Sequence, residues 1–428
     1  MAFDFNSPDF YSPEGFGKET SRIYEICNGC RLCYNLCPSF EILFEKIDEL
    51  DGDLARLGAG DTKRVVDLCY DCKLCYPKCP YTPPHKYMLD FPRLMLRGKA
   101  IEAKTNGVKL QDKLMSRTDL LGAVSTKAAP IVNWTLRSKP FRFIMEKMVG
   151  IHRERNLPKY SSKTFTAWYK KHTIQNPVVG QKTESRESPK VVFFHTCSVN
   201  YNDTDTGKAA IQVLEKNGVE IEVPQQKCCG MPFLDGGDIE MAKKSAEYNV
   251  SMLVDYVGKG YEVVTPGPSC SYLIKQEYPI LLNTPDARTV AAHTYDMMEY
   301  LAKLNKESRL SKDFKKSQGE ITYHLPCHLK AQNIGYKSRD VLELIPDTKV
   351  EVAAKCSGHD GTWSLKKEYF RLSLEVGKPL FDKFTDGSAA ASDCPLAQLQ
   401  IEKGSGKKPR HPIQILRDAY GLEENPKA

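Results

Sequence analysis

Four cysteines fall within twelve residues at CNGCRLCYNLCP (27 to 38), and CYDCKLCYPKCP (69 to 80) repeats the pattern. Thiols at this density either close disulfides, hold zinc, or hold iron and sulfide. A chain of 428 residues builds ordinary cores and does not need cysteine staples. Its opening, MAFDFNSPDFYSPEG, has neither a basic n-region nor an apolar h-region, so the expected compartment is the reducing cytoplasm. Structural zinc uses two Cys-x2-Cys pairs around a spacer, with no third cysteine two residues further on and no terminal Cys-Pro. Both blocks instead read C-x2-C-x2-C-x3-C-P, a run in which three cysteines serve one [4Fe-4S] cluster and the fourth serves its neighbour. The expected sets are Cys27, Cys30, Cys33 and Cys79 for one cluster, and Cys69, Cys72, Cys75 and Cys37 for the other. Crossing of this kind brings the two clusters within electron-hopping distance.

The elements that must position these thiols come next. The interval between Cys37 and Cys69 is longer than in a minimal ferredoxin and reads as helices. Residues 1–100 therefore resemble the α-helical ferredoxins of succinate dehydrogenase-type iron-sulfur subunits. The polar stretch NPVVGQKTESRESP (176–189) reads as a linker. After it, KVVFFHTC reads as a buried strand and TDTGKAAIQVLEKNG as a helix, with Thr204 or Asp205 as its N-cap and Gly218 past its end. VEIEVPQQKCCG, DIEMAKKSAEYNVSMLVDYVGKG and YEVVTPGPSC continue the alternation, which implies a parallel sheet. Ligands collect beyond the carboxyl ends of such strands, where Cys197, Cys228, Cys229 and Cys270 fall.

The plan then recurs. ITYHLPC (321–327) matches VVFFHTC, KCSG (355–358) matches KCCG (227–230), and AASDCPLA (390–397) takes the place of TPGPSC. The expected fold is α+β and multidomain: a ferredoxin domain (1–100), a basic helical connector and linker (101–189), and a duplicated α/β unit (190–310 and 311–428).

The spacing of Cys197, the Cys228-Cys229-Gly230 triplet and Cys270 resembles the cysteine-rich CCG domains of heterodisulfide reductase. Two such domains behind a two-cluster ferredoxin segment resemble the C subunits of anaerobic glycerol-3-phosphate dehydrogenases and related glycolate and lactate oxidase subunits. In heterodisulfide reductase each motif offers five cysteines to a noncubane [4Fe-4S] cluster. Here the first repeat has four, with Gly267 in place of one, and the resemblance implies a third iron-sulfur cluster there. The second repeat has Cys327, Cys356 and Cys394 only, with Ser357 and Ala397 at the other positions, and would need help from His324, His328, His359 or Asp393. His195 also lies beside a cysteine. His328 in YHLPCH is the preferred functional histidine, as a ligand or as a proton donor to a quinone.

Residues 91–172 hold 18 Lys and Arg against 5 Asp and Glu, a net +13 in a chain whose total is +7. Within them PFRFIMEKMVG (140–150) opens with proline and closes with glycine, a helix signature. Phe141, Ile144, Met145 and Met148 form a stripe that suits either a membrane interface or core packing. No grammar of nucleic-acid recognition accompanies the charge, and no apolar run is long enough to span a bilayer. There is no GxGxxG between strand and helix and no Walker loop; GSGKKP (404–409) is followed by no helix start. The chain is thus expected to carry no flavin or NAD of its own and to pass single electrons. The resemblance implies a flavin dehydrogenase as donor, a membrane quinone of the menaquinone type as acceptor, and a peripheral position on the inner face of the cytoplasmic membrane. The alternative is catalytic reduction of a substrate disulfide at a CCG-bound cluster.

Overall fold

The computed structural model describes residues 3–175, 188–385 and 387–422; most of the linker expected at 176–189 lies outside them. Two helices fill the interval between the thiol blocks, Pro38–Glu49 and Ala59–Leu68. Pro38 sits in the first turn, where no N–H is needed, and Cys37 before it is fully extended (φ −163°, ψ 163°). The proline closing the first run therefore starts a helix and turns its cysteine out of it. Helices Pro13–Cys30 and Phe91–Asn106 complete the domain. Its core joins Ile23, Phe40, Leu43, Phe44, Val65 and Leu94, and the Phe40 and Phe91 rings stack with centroids 4.2 Å apart. Cys27, Cys33, Cys37, Cys75 and Cys79 pack at the edge of this core.

The second half contains two parallel sheets. One has the order β2-β1-β3-β4, formed by Glu220–Glu222, Lys190–Phe193, Glu262–Thr265 and Thr294–Asp296. The other has the order β6-β5-β7, formed by Thr348–Ala353, Gly319–His324 and Ala389–Ser392. Val191, Val192, Phe193, Val263 and Val264 are wholly buried, as β-branched and aromatic runs covered on both faces should be. Register fixes the duplication: Val191 pairs Glu262 as Ile321 pairs Ala389. Cys197 then corresponds to Cys327, Gly267 to Cys394, and Cys270 to Ala397. The short β4 was not visible in the sequence. Its counterpart is one bridging residue, Arg410, whose N–H donates to Ala390 and whose carbonyl accepts from Ser392.

The helix read from TDTGKAAIQVLEK is Thr204–Lys216, but its cap is Asp203, which accepts from the Thr206 N–H. Asp205 is used otherwise: its carboxylate accepts from Arg417 at 2.6 Å and Gln414 at 2.7 Å, both in the second repeat. That helix packs on Pro412–Ala419, and a single core contains Val191, Phe193 and Leu214 together with Ile321, Tyr323, Ile413 and Leu416. Each of these side chains contributes about 1.5–3 kcal/mol on burial, so the repeats are held together mainly by shared apolar surface.

The connector forms helices Leu110–Ser116, Thr118–Lys127, Ala129–Arg137 and Lys139–Val149. Gly150 ends the last of them in the left-handed region (φ 75°). The stripe on this helix does not pack into the core: Phe141, Ile144 and Met148 are exposed, and the buried side chain is Arg142. Its guanidinium donates to the carbonyls of His152, Arg153 and Arg155, which fixes the helix by hydrogen bonds instead of by its apolar face.

Candidate redox site

All fifteen cysteines are free thiols. In the ferredoxin domain, Cys33, Cys79 and Cys30 gather around Cys27, and Cys72, Cys69 and Cys37 gather around Cys75. Each run's fourth cysteine thus stands beside the other run's first three. Burial, and after it the neighbouring thiols, pushes Cys27 and Cys75 well above the ordinary thiol range. Burial likewise lifts Cys69 to about 11 and Cys37 to about 12. Crowded, desolvated sulfur of this kind is unfavourable as bare thiolate and favourable once a metal offsets the charge. The donor sets fit iron-sulfur clusters.

In the first repeat the thiols form a chain. Cys228 is within hydrogen-bonding reach of Cys197 and Cys229, and Cys270 Sγ lies 3.2 Å from Cys229 Sγ. Hydrogen bonds from Cys197 and then Cys229 hold Cys228 well below the usual thiol range, against its burial. The start of the connector helix Thr118–Lys127 closes the set: Asp119 Oδ2 accepts from the Cys228 N–H at 2.6 Å, and Thr118 reaches the Cys228 sulfur. Burial, then the Cys228 thiol, lifts Asp119 to about 6. A Cβ at Gly267 would meet Thr196 Cγ2 at 2.7 Å, so the absent cysteine's place is filled. Four closely set, unlinked sulfurs fit an iron-sulfur centre.

In the second repeat, Cys327, Cys356 and Cys394 are joined by Asp360, which lies 3.5 Å from Cys327 Sγ and 3.7 Å from His328 Nε2. This side faces the ferredoxin domain. Tyr70 Oη lies 3.3 Å from Cys356 Sγ, Trp363 Nε1 donates to the Asp67 carbonyl at 3.0 Å, and the Tyr70 and Trp363 rings lie 4.9 Å apart. Burial, then Cys356 and Cys37, raises Cys72. Three thiols with a carboxylate and an imidazole do not make the all-sulfur set of the first repeat.

Other candidates separate cleanly. Asp393 is consumed by Tyr323 Oη at 2.6 Å and Ser338 Oγ at 2.8 Å, and His324 Nδ1 lies 3.0 Å from Ser392 Oγ. His195 Nδ1 contacts its neighbour's carbonyl. These three are placed to hold the fold. His359 is buried with no hydrogen-bond partner at either ring nitrogen among the described residues, and burial lowers it to about 3. Asp119, Thr118, Tyr70 and Asp360 were missed from sequence because their partners are distant in the chain; the Asp of KCSGHDGTW offered the only local hint.

A cavity of about 1780 Å³ lies between the two repeats and the connector. Cys197, Cys228, Cys229 and Cys270 line one part of it, and Leu121, Val132, Leu136, Phe143, Met145 and Val149 of the connector line another. His359 and Asp235 also face it. Both carboxylate oxygens of Asp235 are buried without a partner among the described residues, and burial raises it well above the carboxylate range. On the connector's outer side, Leu120, Val124, Ile131, Trp134, Phe141, Ile144 and Met148 are exposed, Met148 at 76% and Trp134 at 61%.

Residues 20–104 match the Fer4-like domain model of citrate utilization protein B, and residues 191–275 and 321–402 each match the cysteine-rich CCG domain model. The chain is 33% identical over 321 residues to the C subunit of anaerobic glycerol-3-phosphate dehydrogenase from Escherichia coli K12, covering 74% of this chain and 78% of the relative. This chain belongs to that family of C subunits. As a member of the family it is an iron-sulfur electron-transfer protein, built as a Fer4-like domain followed by two CCG domains. More distant relatives of this family member include the B subunit of fumarate reductase (CoM/CoB) from Methanothermobacter marburgensis, 28% identical over 56% of this chain and 46% of the relative. Lactate utilization protein A of Geobacillus kaustophilus is 31% identical over 41% of this chain and 75% of its own length. Among the described residues, no helix is long and apolar enough to cross a membrane.

Proposed function

We propose that this chain receives electrons from a flavin dehydrogenase that oxidises glycerol 3-phosphate or a similar hydroxylated substrate, and delivers them to a membrane quinone. The supporting observation is the cavity that connects the Cys197, Cys228, Cys229 and Cys270 set to apolar connector helices. Iron-sulfur clusters supply one-electron transfer when bound. Cys27, Cys30, Cys33 and Cys79, then Cys69, Cys72, Cys75 and Cys37, would hold two of them, and the first-repeat set a third.

The cavity suits a lipophilic acceptor: Val132, Leu136, Phe143, Met145 and Val149 offer apolar walls for its ring and tail. Asp235, kept protonated by burial, can donate a hydrogen bond and then a proton to a quinone oxygen. His359, kept neutral, can hold that oxygen's orientation. Outside, exposed Trp134, Phe141, Ile144 and Met148 combine with the connector's net positive charge to favour an anionic bilayer, each nearby Lys or Arg contributing about 1 kcal/mol. A quinone reaching the cavity from the bilayer would then pass between these helices.

Met145→Trp together with Val132→Trp tests the reading. Reduction of a short-chain menaquinone analogue should fall at least about tenfold, equivalent to about 1.4 kcal/mol of lost binding, while reduction of a soluble dye by the dithionite-charged protein is unchanged. Undiminished quinone reduction, or faster turnover of a small disulfide than of the quinone, would overturn it.

A further inference from the structure

Among the places where the second repeat carries a ligand-type side chain and the first has none, two lie beside a retained cysteine. With Cys197 set on Cys327, Ser198 corresponds to His328; with Cys228 set on Cys356, Pro232 corresponds to Asp360. These two gains sit in the repeat that has Ser357 and Ala397 where the first has Cys229 and Cys270. The gained groups converge on a retained one. Asp360 Oδ2 lies 3.5 Å from Cys327 Sγ and 3.7 Å from His328 Nε2, and the three donor atoms all fall within 4.8 Å of one another. Ligands on one tetrahedral ion, with bonds of about 2.0–2.3 Å, stand about 3.3–3.8 Å apart. The two shorter separations are edges of such a tetrahedron. A four-iron cluster would set its ligands on different irons, and so further from one another.

The surroundings agree. Ser269 Oγ lies 2.9 Å from His328 Nδ1, which leaves Nε2 facing both Asp360 Oδ2 at 3.7 Å and the Asp71 carbonyl at 3.5 Å, and the Tyr272 ring stacks on the imidazole with centroids 5.1 Å apart. Metal-binding imidazoles are oriented through their other nitrogen in this way. His328 and Asp360 are both buried. Lys73 is committed to Asp71 at 2.7 Å and Lys99 to the Cys69 carbonyl at 2.7 Å. Among the described residues no lysine or arginine pairs with Asp360, and a buried carboxylate left without a cation is costly.

We infer that Cys327, His328 and Asp360 bind a single divalent ion of the zinc class, in place of the iron-sulfur centre that the thiols alone would hold. Thiolate, imidazole and carboxylate together are a zinc donor set. Cys394 and Cys356, whose thiols both act electrostatically on Cys327, are the candidates for a fourth position. The inference is independent of the quinone reading, because zinc carries no electrons.

Anaerobically purified full-length protein, washed with chelator, is to be assayed for zinc and iron by mass spectrometry and for zinc neighbours by X-ray absorption. About one zinc per chain is expected beside the iron, with mixed sulfur and nitrogen or oxygen neighbours. Asp360→Asn and His328→Gln should each leave less than about a tenth of that zinc, with iron content and the ferredoxin EPR signals unchanged. Ser269→Ala, which only orients the imidazole, should weaken zinc binding about tenfold. Cobalt(II) added to zinc-depleted protein should give a thiolate-to-cobalt absorption band. Wild-type protein without zinc, zinc with four sulfur neighbours that both variants retain, or loss of iron instead of zinc from Asp360→Asn would each overturn the inference. The absorption and cobalt measurements use the wild-type chain, so a variant that fails to fold leaves the test intact.

Discussion

In the first repeat, the Cys229 and Cys270 sulfurs stand 3.2 Å apart; at the equivalent positions of the second, the match of KCSG to KCCG places Ser357 and strand register places Ala397. The order of the three shared strands and the five-residue helices that begin at Cys197 and Cys327 are alike. The environments differ as much as the ligands do. Both sets border the cavity, the first through all four thiols and the second through Asp360 and Cys394, but the first is closed by Thr118 and Asp119 of the connector and the second by Tyr70 and Trp363 at the ferredoxin domain. The backbone of this fold thus sets where ligands can stand, and single side chains decide which chemistry stands there.

The sharpest way to break this comparison is to remove one sulfur from each repeat. Cys228→Ser should abolish the first-repeat iron signal and slow quinone reduction at least about a hundredfold, roughly 2.7 kcal/mol at the transition state, with the ferredoxin clusters still reducible by dithionite. Cys394→Ser should leave the iron content nearly unchanged. Equal iron loss in the two variants, measured by metal analysis and EPR, would make the repeats equivalent.

Next in size is the connector, whose apolar helices line the cavity at the first repeat's thiols. Phe141→Asp with Ile144→Asp removes two exposed apolar side chains, each worth about 1.5–3 kcal/mol when buried in a bilayer. Binding to anionic vesicles should fall more than about tenfold, and that of the parent chain should weaken with salt without vanishing. Sedimentation with vesicles at two salt concentrations checks both. Since these side chains are exposed, the urea midpoint should not move.

A smaller effect is expected from rebuilding the missing ligand of the first repeat. Gly267→Cys drives its Cβ against Thr196 Cγ2 and should cost about 1–3 kcal/mol by overpacking. Thr196→Ser removes that methyl while keeping the hydroxyl that accepts from the Val199 N–H, so the double variant should recover most of the loss in denaturant titration.

The smallest concerns protons. Burial, against a backbone hydrogen bond with Lys355, lowers His324 to about 4. The unfolded chain takes up this proton below about 6.5 and the folded chain only near 4, so its contribution to stability is full above 6.5 and falls as pH drops. By pH 5 the loss should be about 1–2 kcal/mol, and His324→Gln should lose correspondingly less between pH 7 and 5 in hydrogen-exchange measurements on β5.

Short-range chemistry was legible in the sequence. The doubled cysteine runs, the helices between them, the strand-to-cysteine spacing and the Pro140–Gly150 helix ends all depend on residues within a turn or two of each other. The recurrence of KCCG as KCSG revealed the duplication. What depends on distant partners was not legible. The Phe141, Ile144 and Met148 stripe fits a core or a surface equally well, and only the grip of Arg142 on three carbonyls turns it outward. Asp360 gains meaning from its approach to Cys327 and His328, and Asp203 displaced Thr204 and Asp205 as a cap because Asp205 is engaged by Arg417. β4 has three residues and no apolar run, so nothing local announced it.

The single core that contains Val191 and Phe193 of one repeat with Ile321, Ile413 and Leu416 of the other explains how a half with fewer sulfur ligands can still be indispensable. Excising it would strip the Thr204–Lys216 helix and expose the inner side of β1, so neither half is a spare part that another chain could donate. The duplicate is thus structurally bound to its twin whatever metal it holds, and is free to vary at its ligands as long as its packing stays fixed.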